Sequence, residues 1–266
     1  GGSGKSSLTD ELIQRLLLDQ DQLHVAVLSA DPSRRKSGGA LLGDRIRMNA
    51  IGDRRVFMRS LATRQSFSEI PARLADIVRV TKAAGYDLII VETAGIGQGD
   101  ADIVAHVDLS IYVMTSDFGA ASQLEKIDML DFADLVVINK FEKRGGEDAV
   151  RDVRKQVQRN RNAFDQALEA MPVFGTIAAR FNDDGVTALY HALLETIAAK
   201  SGVQLVAGLA KPPGRTSSSQ TIIIPPERTR YLSEIAETVR AYHAHTERQA
   251  EALRRVWHLT KSAQAL

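Results

Sequence analysis

Short runs of apolar, β-branched residues alternate with longer amphipathic segments over residues 1–200. The run 88–91 is typical of a strand that is buried on both faces. The segment 6–18 keeps Leu8, Leu12 and Leu16 on one face, as an amphipathic helix does. This alternation predicts an α/β fold in which helices cover both faces of a mostly parallel sheet. Strands are predicted at 24–30, 56–58, 88–91, 109–114, 135–138 and 173–177, and helices at 6–18, 68–84, 147–170 and 186–200.

Two of these helices carry more detailed expectations. In the helix 68–84, Pro71 lies in the first turn, where proline is tolerated. The helix 147–170 has an apolar stripe that we expect to face the core. The stripe consists of Val150, Val153, Val157, Phe164 and Leu168.

The composition changes after residue 200. Residues 1–200 are predicted to form one domain, 201–226 a Pro/Ser-rich linker, and 227–266 a helical extension. The chain begins at Gly1 without an initiator methionine or a preceding strand. We therefore expect a segment of a longer polypeptide, with the first strand of the domain upstream of it. The apolar stripe of the extension predicts docking on another domain or subunit, with packing on its own domain as the alternative.

Charge and cysteine content exclude several function classes. Lys and Arg number 34 against 33 Asp and Glu, a net charge of +1, which does not favour nucleic acid as a partner. The sequence has no cysteine, so disulfides, thiolate metal sites and cysteine nucleophiles are excluded. It has neither a signal peptide nor an apolar run of the roughly 20 residues needed to span a membrane. We expect a cytoplasmic protein that has no membrane partner.

The first residues form a phosphate-binding pattern. A Gly-Lys-Ser sequence directly precedes the first helix, and its Lys5 can reach the β- and γ-phosphate oxygens of a nucleotide. Small residues before it let backbone N–H groups surround a phosphate, and the helix start adds partial positive charge. The full P-loop pattern needs one more glycine, which lies upstream of the chain. The predicted phosphate-binding run is Gly1-Gly2-Ser3-Gly4-Lys5-Ser6, with the Ser6 hydroxyl available to Mg²⁺.

Acidic residues stand at the ends of two predicted strands. Glu92 follows the strand 88–91, where P-loop proteins place an acid near Mg²⁺. Gly95 comes three residues later, as in the Asp-x-x-Gly pattern of GTPases, and its N–H is predicted to contact the γ-phosphate. Asp31 ends the strand 24–30. The alternative for both acids is that they cap helices.

The run Asn139-Lys140-Phe141-Glu142 directly follows the strand 135–138. In GTPases an Asn-Lys-x-Asp run at this place selects guanine, because its carboxylate accepts hydrogen bonds from N1–H and the 2-amino group, a donor pair that adenine lacks. Glu142 carries the same two acceptor oxygens on a longer side chain. The sequence therefore predicts guanine specificity, with 177–179 as a second loop beside the base.

Together these motifs resemble the MeaB/ArgK-type GTPase chaperones of adenosylcobalamin-dependent acyl-CoA mutases. The resemblance covers about residues 1–200 and is carried by the runs 30–33, 38–48 and 91–98. Glu142 and the run 143–146 depart from the free-standing chaperones and are similar to the G-domain embedded in fused isobutyryl-CoA mutases. The resemblance implies a Mg²⁺-dependent GTPase that gates cofactor loading in an enzyme interconverting isobutyryl-CoA and butyryl-CoA.

The resemblance also implies roles for individual residues and partners. Arg47 contacts phosphate, with a surface charge as the alternative, and acts with Lys5 and Glu92 in catalysis. The segment 117–126 couples the nucleotide state to the mutase. Cobalamin-binding and mutase domains are the expected partners, in a homodimeric parent enzyme. The implied Mg²⁺ ligands are Ser6, Asp31, Asp44 and Glu92, with Thr93 joining through its backbone or hydroxyl.

Two other functions remain open on the sequence alone. The first is a GTPase that inserts nickel or cobalt, although such proteins usually carry His-rich or Cys ligands. The second is a GTP-binding regulatory module that barely turns GTP over. No His or Gln directly follows Gly95, and Gln98 is the candidate for positioning the attacking water. We therefore expect slow intrinsic hydrolysis.

Overall fold

The structure is a computed structural model that describes residues 2–32, 48–63, 71, 73–93, 100–118, 121–218 and 231–265. The chain divides into two compact units, Gly1–Thr221 and Ile222–Leu266. The first unit contains the described strands and six of the described α-helices. The second contains one long helix.

The strands of the first unit form two parallel three-stranded sheets. In the first sheet, β1 (Val25–Pro32) lies between β2 (Val56–Thr63) and β3 (Leu88–Glu92). In the second, β5 (Leu135–Asn139) lies between β4 (Ile111–Met114) and β6 (Val173–Thr176). The prediction of a parallel sheet architecture is confirmed. Parallel pairing aligns the carboxyl ends of the strands at one edge of each sheet.

Helices cover both faces of the second sheet. Val137 of β5 packs with Leu12 of α1 and Leu189 of α6, whereas the adjacent Ile138 packs with Val153 of α5. Successive strand residues point to opposite faces, so a continuous apolar strand fills two cores. The helices are α1 (Lys5–Asp19), α2 (Leu74–Ala83), α3 (Ala121–Leu124), α4 (Met129–Phe132), α5 (Gly146–Asn160) and α6 (Asp184–Ser201).

The prediction of a helix over 147–170 is wrong in its second half. Helix α5 ends at Asn160, and Asn162 adopts a positive φ of 50°. Asparagine tolerates this left-handed conformation, which breaks the helical period. Phe164 is therefore 68% exposed instead of facing the core, and Ala163 is buried in its place.

The prediction for Pro71 is also wrong, because α2 begins at Leu74. The Leu74 N–H donates to the carbonyl of Pro71 at 2.9 Å, so the proline lies in the turn before the helix. Residues 68–70 of the predicted helix lie outside the described part of the chain. Strand β2 extends to Thr63, well past the predicted 56–58.

The first unit includes the early part of the segment predicted to be a linker. We call residues 202–218 the tether. Its Gly208 N–H donates to Asp19 Oδ2 at 2.9 Å, and His191 Nε2 donates to the Leu209 carbonyl at 2.9 Å. Thr216 forms a parallel β-bridge with Gly175 on β6. The tether is thus attached to the sheet domain along its length. The predicted extended run 222–224 lies outside the described residues.

The second unit contains α7 (Tyr231–Ala265), which has 35 residues. Large apolar side chains on it are exposed, among them Ile235, Val239, Tyr242, Leu253, Val256 and Trp257. Within the described parts of the chain, no helix combines the length and apolarity needed to cross a membrane.

Candidate functional site

The part of the site that is predicted to bind the nucleotide phosphates lies where α1 begins and β3 ends. We call it the phosphate end. The Ser6 hydroxyl donates to Glu92 Oε1 at 2.6 Å, and Glu92 is 8% exposed. In the strand register Ser29 is opposite Glu92, so Asp31 lies two residues further toward the same carboxyl edge. A hydroxyl and a carboxylate this close are oxygen donors of the kind that Mg²⁺ prefers. Two of the predicted Mg²⁺ ligands, Ser6 and Glu92, are therefore adjacent.

The glycine-rich loop before α1 has the conformation that its composition allows. Gly2 and Gly4 have φ angles of 96° and 84°, which side chains rarely adopt. Gly4, the N-cap residue of α1, has no side chain with which to cap this end, and the first turn contains no acidic residue. A helix start of this kind carries partial positive charge and favours an anion.

Asn139, at the end of β5, connects this loop to the loop predicted to bind the base. We call residues 140–145, which follow β5, the base loop. Its Nδ2 donates to the Ser3 carbonyl at 2.8 Å, and its Oδ1 accepts from Thr176 Oγ1 at 3.0 Å and Ala178 N–H at 3.1 Å. A Cβ on Gly4 would overlap the Asn139 amide nitrogen, so glycine is needed there. Asn139 is 2% exposed, and its three hydrogen bonds fix the two loops relative to each other.

Phe141 attaches the base loop to the end of β6. Its N–H donates to the Thr176 carbonyl at 3.0 Å, and its ring lies so close to Gly175 that an added Cβ would be 2.7 Å away. Gly146, at the start of α5, likewise leaves no room for a Cβ beside the Phe141 carbonyl. Lys140 has a positive φ of 58°, a conformation that a non-glycine residue holds only when its surroundings enforce it.

Glu142 lines an open cavity of about 430 Å³ next to this loop. The lining joins three parts of the chain: the base loop with the start of α5, the loop after β6, and the end of the tether. The residues are Phe141, Glu142, Lys143, Gly145, Gly146, Glu147, Asp148, Ile177, Arg180, Ser217 and Ser218. The loop predicted to lie beside the base, 177–179, thus contributes Ile177 to the same cavity as Glu142.

An ion pair joins the segment 117–126 to the base loop. Lys143 Nζ lies 2.8 Å from Asp117 Oδ2, and Thr115 Oγ1 donates to the same oxygen at 3.2 Å. The hydrogen bond from Lys143 is the main reason why the pKa of Asp117 is below its usual value. The segment predicted to sense the nucleotide therefore begins beside the predicted base site.

Several predicted site residues lie outside the part of the chain that the structure describes. These are Gly1, Asp44, Arg47, Gly95 and Gln98, and the side chain of Asp31. Thr93 follows Glu92 directly and is half-buried. Among the residues that are described, no three His, Cys, Asp or Glu side chains group as a metal site.

Sequence reasoning missed two buried carboxylates, one of which, Asp183, supports the loop beside the cavity. Asp183 is fully buried, caps α6 by accepting from Val186 N–H at 3.0 Å, and also accepts from Ile177 N–H at 3.1 Å. Asp10, on α1, accepts from Ala50 N–H at 2.8 Å. Asp183 lies three residues before the predicted helix 186–200 and directly before the observed α6. An aspartate close to a predicted helix start is an N-cap signal and could have identified it. The sequence holds no comparable signal for Asp10.

A glycine-rich loop that opens a helix beside parallel strands, with an acid at a strand end, defines a P-loop nucleotide hydrolase. The fold agrees with that of HypB from Helicobacter pylori, solved in complex with nickel, at a TM-score of 0.52 and 17% identity. The match covers 78% of this chain and 87% of that one. At this identity the likeness concerns the fold alone.

The chain belongs to the family described as methylmalonyl-CoA mutase-associated GTPase MeaB, whose profile matches residues 1–206. It is 63% identical to a fused isobutyryl-CoA mutase of Cupriavidus metallidurans, over 96% of this chain and 23% of that protein. The fused isobutyryl-CoA mutase of Geobacillus kaustophilus is 54% identical over 100% of this chain and 24% of its own length. The chain thus spans about a quarter of these relatives. The predicted family resemblance is confirmed, and the chain is a GTPase domain.

Proposed function

We propose that this chain binds GTP with Mg²⁺, hydrolyses it slowly, and uses the nucleotide state to control a coenzyme B12-dependent acyl-CoA mutase. The observation that carries the proposal is the position of Asn139, which bonds to Ser3 on one side and Ala178 on the other. A single nucleotide can then contact both loops, its phosphates at the first and its base at the second.

At the phosphate end, the backbone of Gly2–Gly4 and the start of α1 bind the β-phosphate, and Lys5 contacts the β- and γ-oxygens. Gly1 completes the loop, and Arg47 and Gly95 contact the γ-phosphate. Ser6 and Glu92 fit Mg²⁺ by their donor chemistry and proximity.

We assign Asp31, Asp44 and Thr93 as further Mg²⁺ ligands. Bound Mg²⁺ neutralises charge on the phosphate oxygens during transfer. Glu92 additionally orients the Ser6 hydroxyl by accepting a hydrogen bond from it.

At the base end, Glu142 accepts hydrogen bonds from N1–H and the 2-amino group of guanine. Adenine offers no such donor pair, so a bound adenine would leave the carboxylate without its partners at a cost of about 1–3 kcal/mol. The stem of Lys140 packs over the base, and Phe141 holds the loop in place against Gly175.

The nucleotide state is proposed to act on neighbouring mutase and cobalamin-binding domains of a homodimeric parent enzyme that interconverts isobutyryl-CoA and butyryl-CoA. The fused relatives, of which this chain matches about a quarter, support this assignment. Adenosylcobalamin is a cofactor of that parent, and we assign no residue of this chain to it. The exposed apolar side chains of α7 suit docking on the mutase portion.

The test is GTP hydrolysis measured across a Mg²⁺ titration. We expect Glu92→Gln to lower Mg²⁺-dependent turnover at least about tenfold, because it weakens a metal ligand and the bond to Ser6. Glu169→Gln, a matched change at an exposed position, should leave the titration unchanged. An unchanged titration for Glu92→Gln would contradict the metal assignment. GTP binding without any turnover would instead favour the regulatory module.

A further inference from the structure

The end of the tether is joined to the loop after β6 by main-chain hydrogen bonds. The Gly175 N–H donates to the Arg215 carbonyl at 3.0 Å, and the Ser217 N–H donates back to the Gly175 carbonyl at 2.8 Å. The tether therefore adds one bridged residue, Thr216, beside β6. Arg215 also lies over the ring of Phe174, with its guanidinium carbon 5.2 Å from the ring centre.

One buried oxygen connects the tether to the loop that lines the cavity. Asp183 Oδ2 accepts from Ser217 Oγ at 2.7 Å, from Ile177 N–H at 3.1 Å and from Val186 N–H at 3.0 Å. Burial raises the pKa of Asp183, and the three hydrogen bonds oppose that shift. The position of Ile177, at the cavity, thus depends on the same carboxylate as the position of Ser217.

Ser218 is held by a second set of contacts next to the first. Its N–H donates to Asp184 Oδ1 at 2.9 Å, and its hydroxyl bonds to Asp184 Oδ2. Its carbonyl accepts from Arg180 at 2.9 Å, and the same guanidinium lies 3.7 Å from Asp183 Oδ1. Gly185 leaves no space for a side chain between the Gly175 carbonyl and Ser217. The loop and the tether end therefore pack as one unit.

We propose that the tether end is part of the base site. Ser217 and Ser218 position the loop 177–180 through Asp183, Asp184 and Arg180. Guanine affinity then depends on a seated tether, that is, one whose end is bonded to β6 and to this loop. The inference rests on the proposed function and extends it, because it names the chain segment that completes the base pocket. By thermodynamic linkage, a bound guanine base must stabilise the seated tether by the same factor.

The first test compares Ser217→Ala with Ser201→Ala in the intact chain. Ser201 is the last residue of α6, directly before the tether, and does not line the cavity. Its hydroxyl donates to the Ile197 carbonyl and accepts from the Val203 N–H. We expect Ser217→Ala to weaken GDP binding about two- to tenfold, the usual effect of one lost hydrogen bond. Binding of Mg²⁺-pyrophosphate, which uses the phosphate end alone, should stay unchanged. Ser201→Ala should leave both affinities at their wild-type values.

A purely structural role of Ser217 would lower both affinities together, and that result would overturn the inference. So would equal GDP affinities for the two variants in a protein that prefers GDP over ADP. If the unmutated chain shows no preference for GDP, the proposed function fails first, and the inference falls with it.

The second test needs no substitution. Trypsin cleavage after Arg215 requires the tether end to leave β6. GDP at saturation should slow this cleavage about two- to tenfold, whereas ADP at the same concentration should have little effect. Equal cleavage rates with GDP and without nucleotide would contradict the inference.

Discussion

The phosphate end and the base end of the site are supported in different ways. At the phosphate end, the loop before α1 meets the last residue of β3, and the key contact joins Ser6 to Glu92. At the base end, the loop after β5 is supported by the loop after β6, and that loop in turn by Asp183 and the tether. The phosphate end therefore depends mainly on one loop and one strand end, and the base end on several segments of the chain.

This difference implies that changes at the two ends should separate in binding experiments. A change at the phosphate end should affect every nucleotide. A change at the base end should affect guanine nucleotides only. Asn139 bonds to both ends and should be the exception.

The largest expected effect is that of Lys5→Ala. Removing a charge that we propose contacts the β- and γ-phosphates should weaken GDP, ADP and Mg²⁺-pyrophosphate alike, by at least about thirtyfold. Lys155→Ala, at an exposed position on α5, is the matched control and should bind all three as the wild type does. A loss confined to GDP would break the distinction between the two ends. Calorimetric titration of each ligand measures it.

Asn139→Ala should affect both ends and also stability. The change removes three hydrogen bonds and leaves the buried groups that made them without a partner, so the free energy of unfolding should fall by about 1–3 kcal/mol. GDP and pyrophosphate affinities should both decrease. Asn160→Ala, which removes an asparagine at the end of α5, serves as the control. If only GDP binding fell, Asn139 would belong to the base end alone.

A smaller effect should distinguish two truncated chains. The chain ending at Thr221 keeps the tether, and the chain ending at Ser201 lacks it. We expect the shorter chain to melt at a lower temperature and to bind GDP more weakly, while pyrophosphate affinity stays similar. Equal melting temperatures and equal GDP affinities would show that the tether contributes nothing to the base end. Thermal denaturation with and without GDP provides both readouts.

The smallest effect concerns the pH dependence of Asp117. Because Lys143 holds the pKa of this carboxyl below its usual value of about 3.9, the ion pair persists at neutral pH. Its contribution is present above the unfolded-state pKa and is lost as the pH falls through the lowered one. In an NMR titration, Lys143→Met should raise the Asp117 midpoint toward the usual value. An unchanged midpoint would remove the link between segment 117–126 and the base end.

The sequence predicted the phosphate end better than the base end for a physical reason. Gly4, Lys5 and Ser6 are consecutive, and the strand that ends at Glu92 is evident from its apolar run. Each partner is therefore marked by its own local pattern, although Ser6 and Glu92 are 86 positions apart. Ser217 lies in a Pro/Ser-rich run in which no motif distinguishes it, so nothing in the sequence indicates its hydrogen bond to Asp183. The site assignments themselves remain predictions.

The same contrast, between features marked by a local pattern and features set by tertiary contacts, explains where the prediction of the fold and the structure differ. The strand positions follow from apolar runs that tertiary packing reinforces, and the parallel architecture was predicted from their alternation with helices. The end of α5 depends on the left-handed conformation of Asn162, which the apolar spacing of Phe164 and Leu168 concealed. The path of the tether depends on contacts such as that of His191 with Leu209, whereas its Pro/Ser-rich composition suggested a free linker.

The most direct test of the central claim is a calorimetric titration of the unmutated chain with GDP and with ADP. The account predicts that GDP binds at least about tenfold more tightly, because Glu142 finds its two donors only on guanine. Glu142→Ala should remove most of that preference and leave pyrophosphate binding unchanged. Equal affinities of the unmutated chain for GDP and ADP would contradict the account.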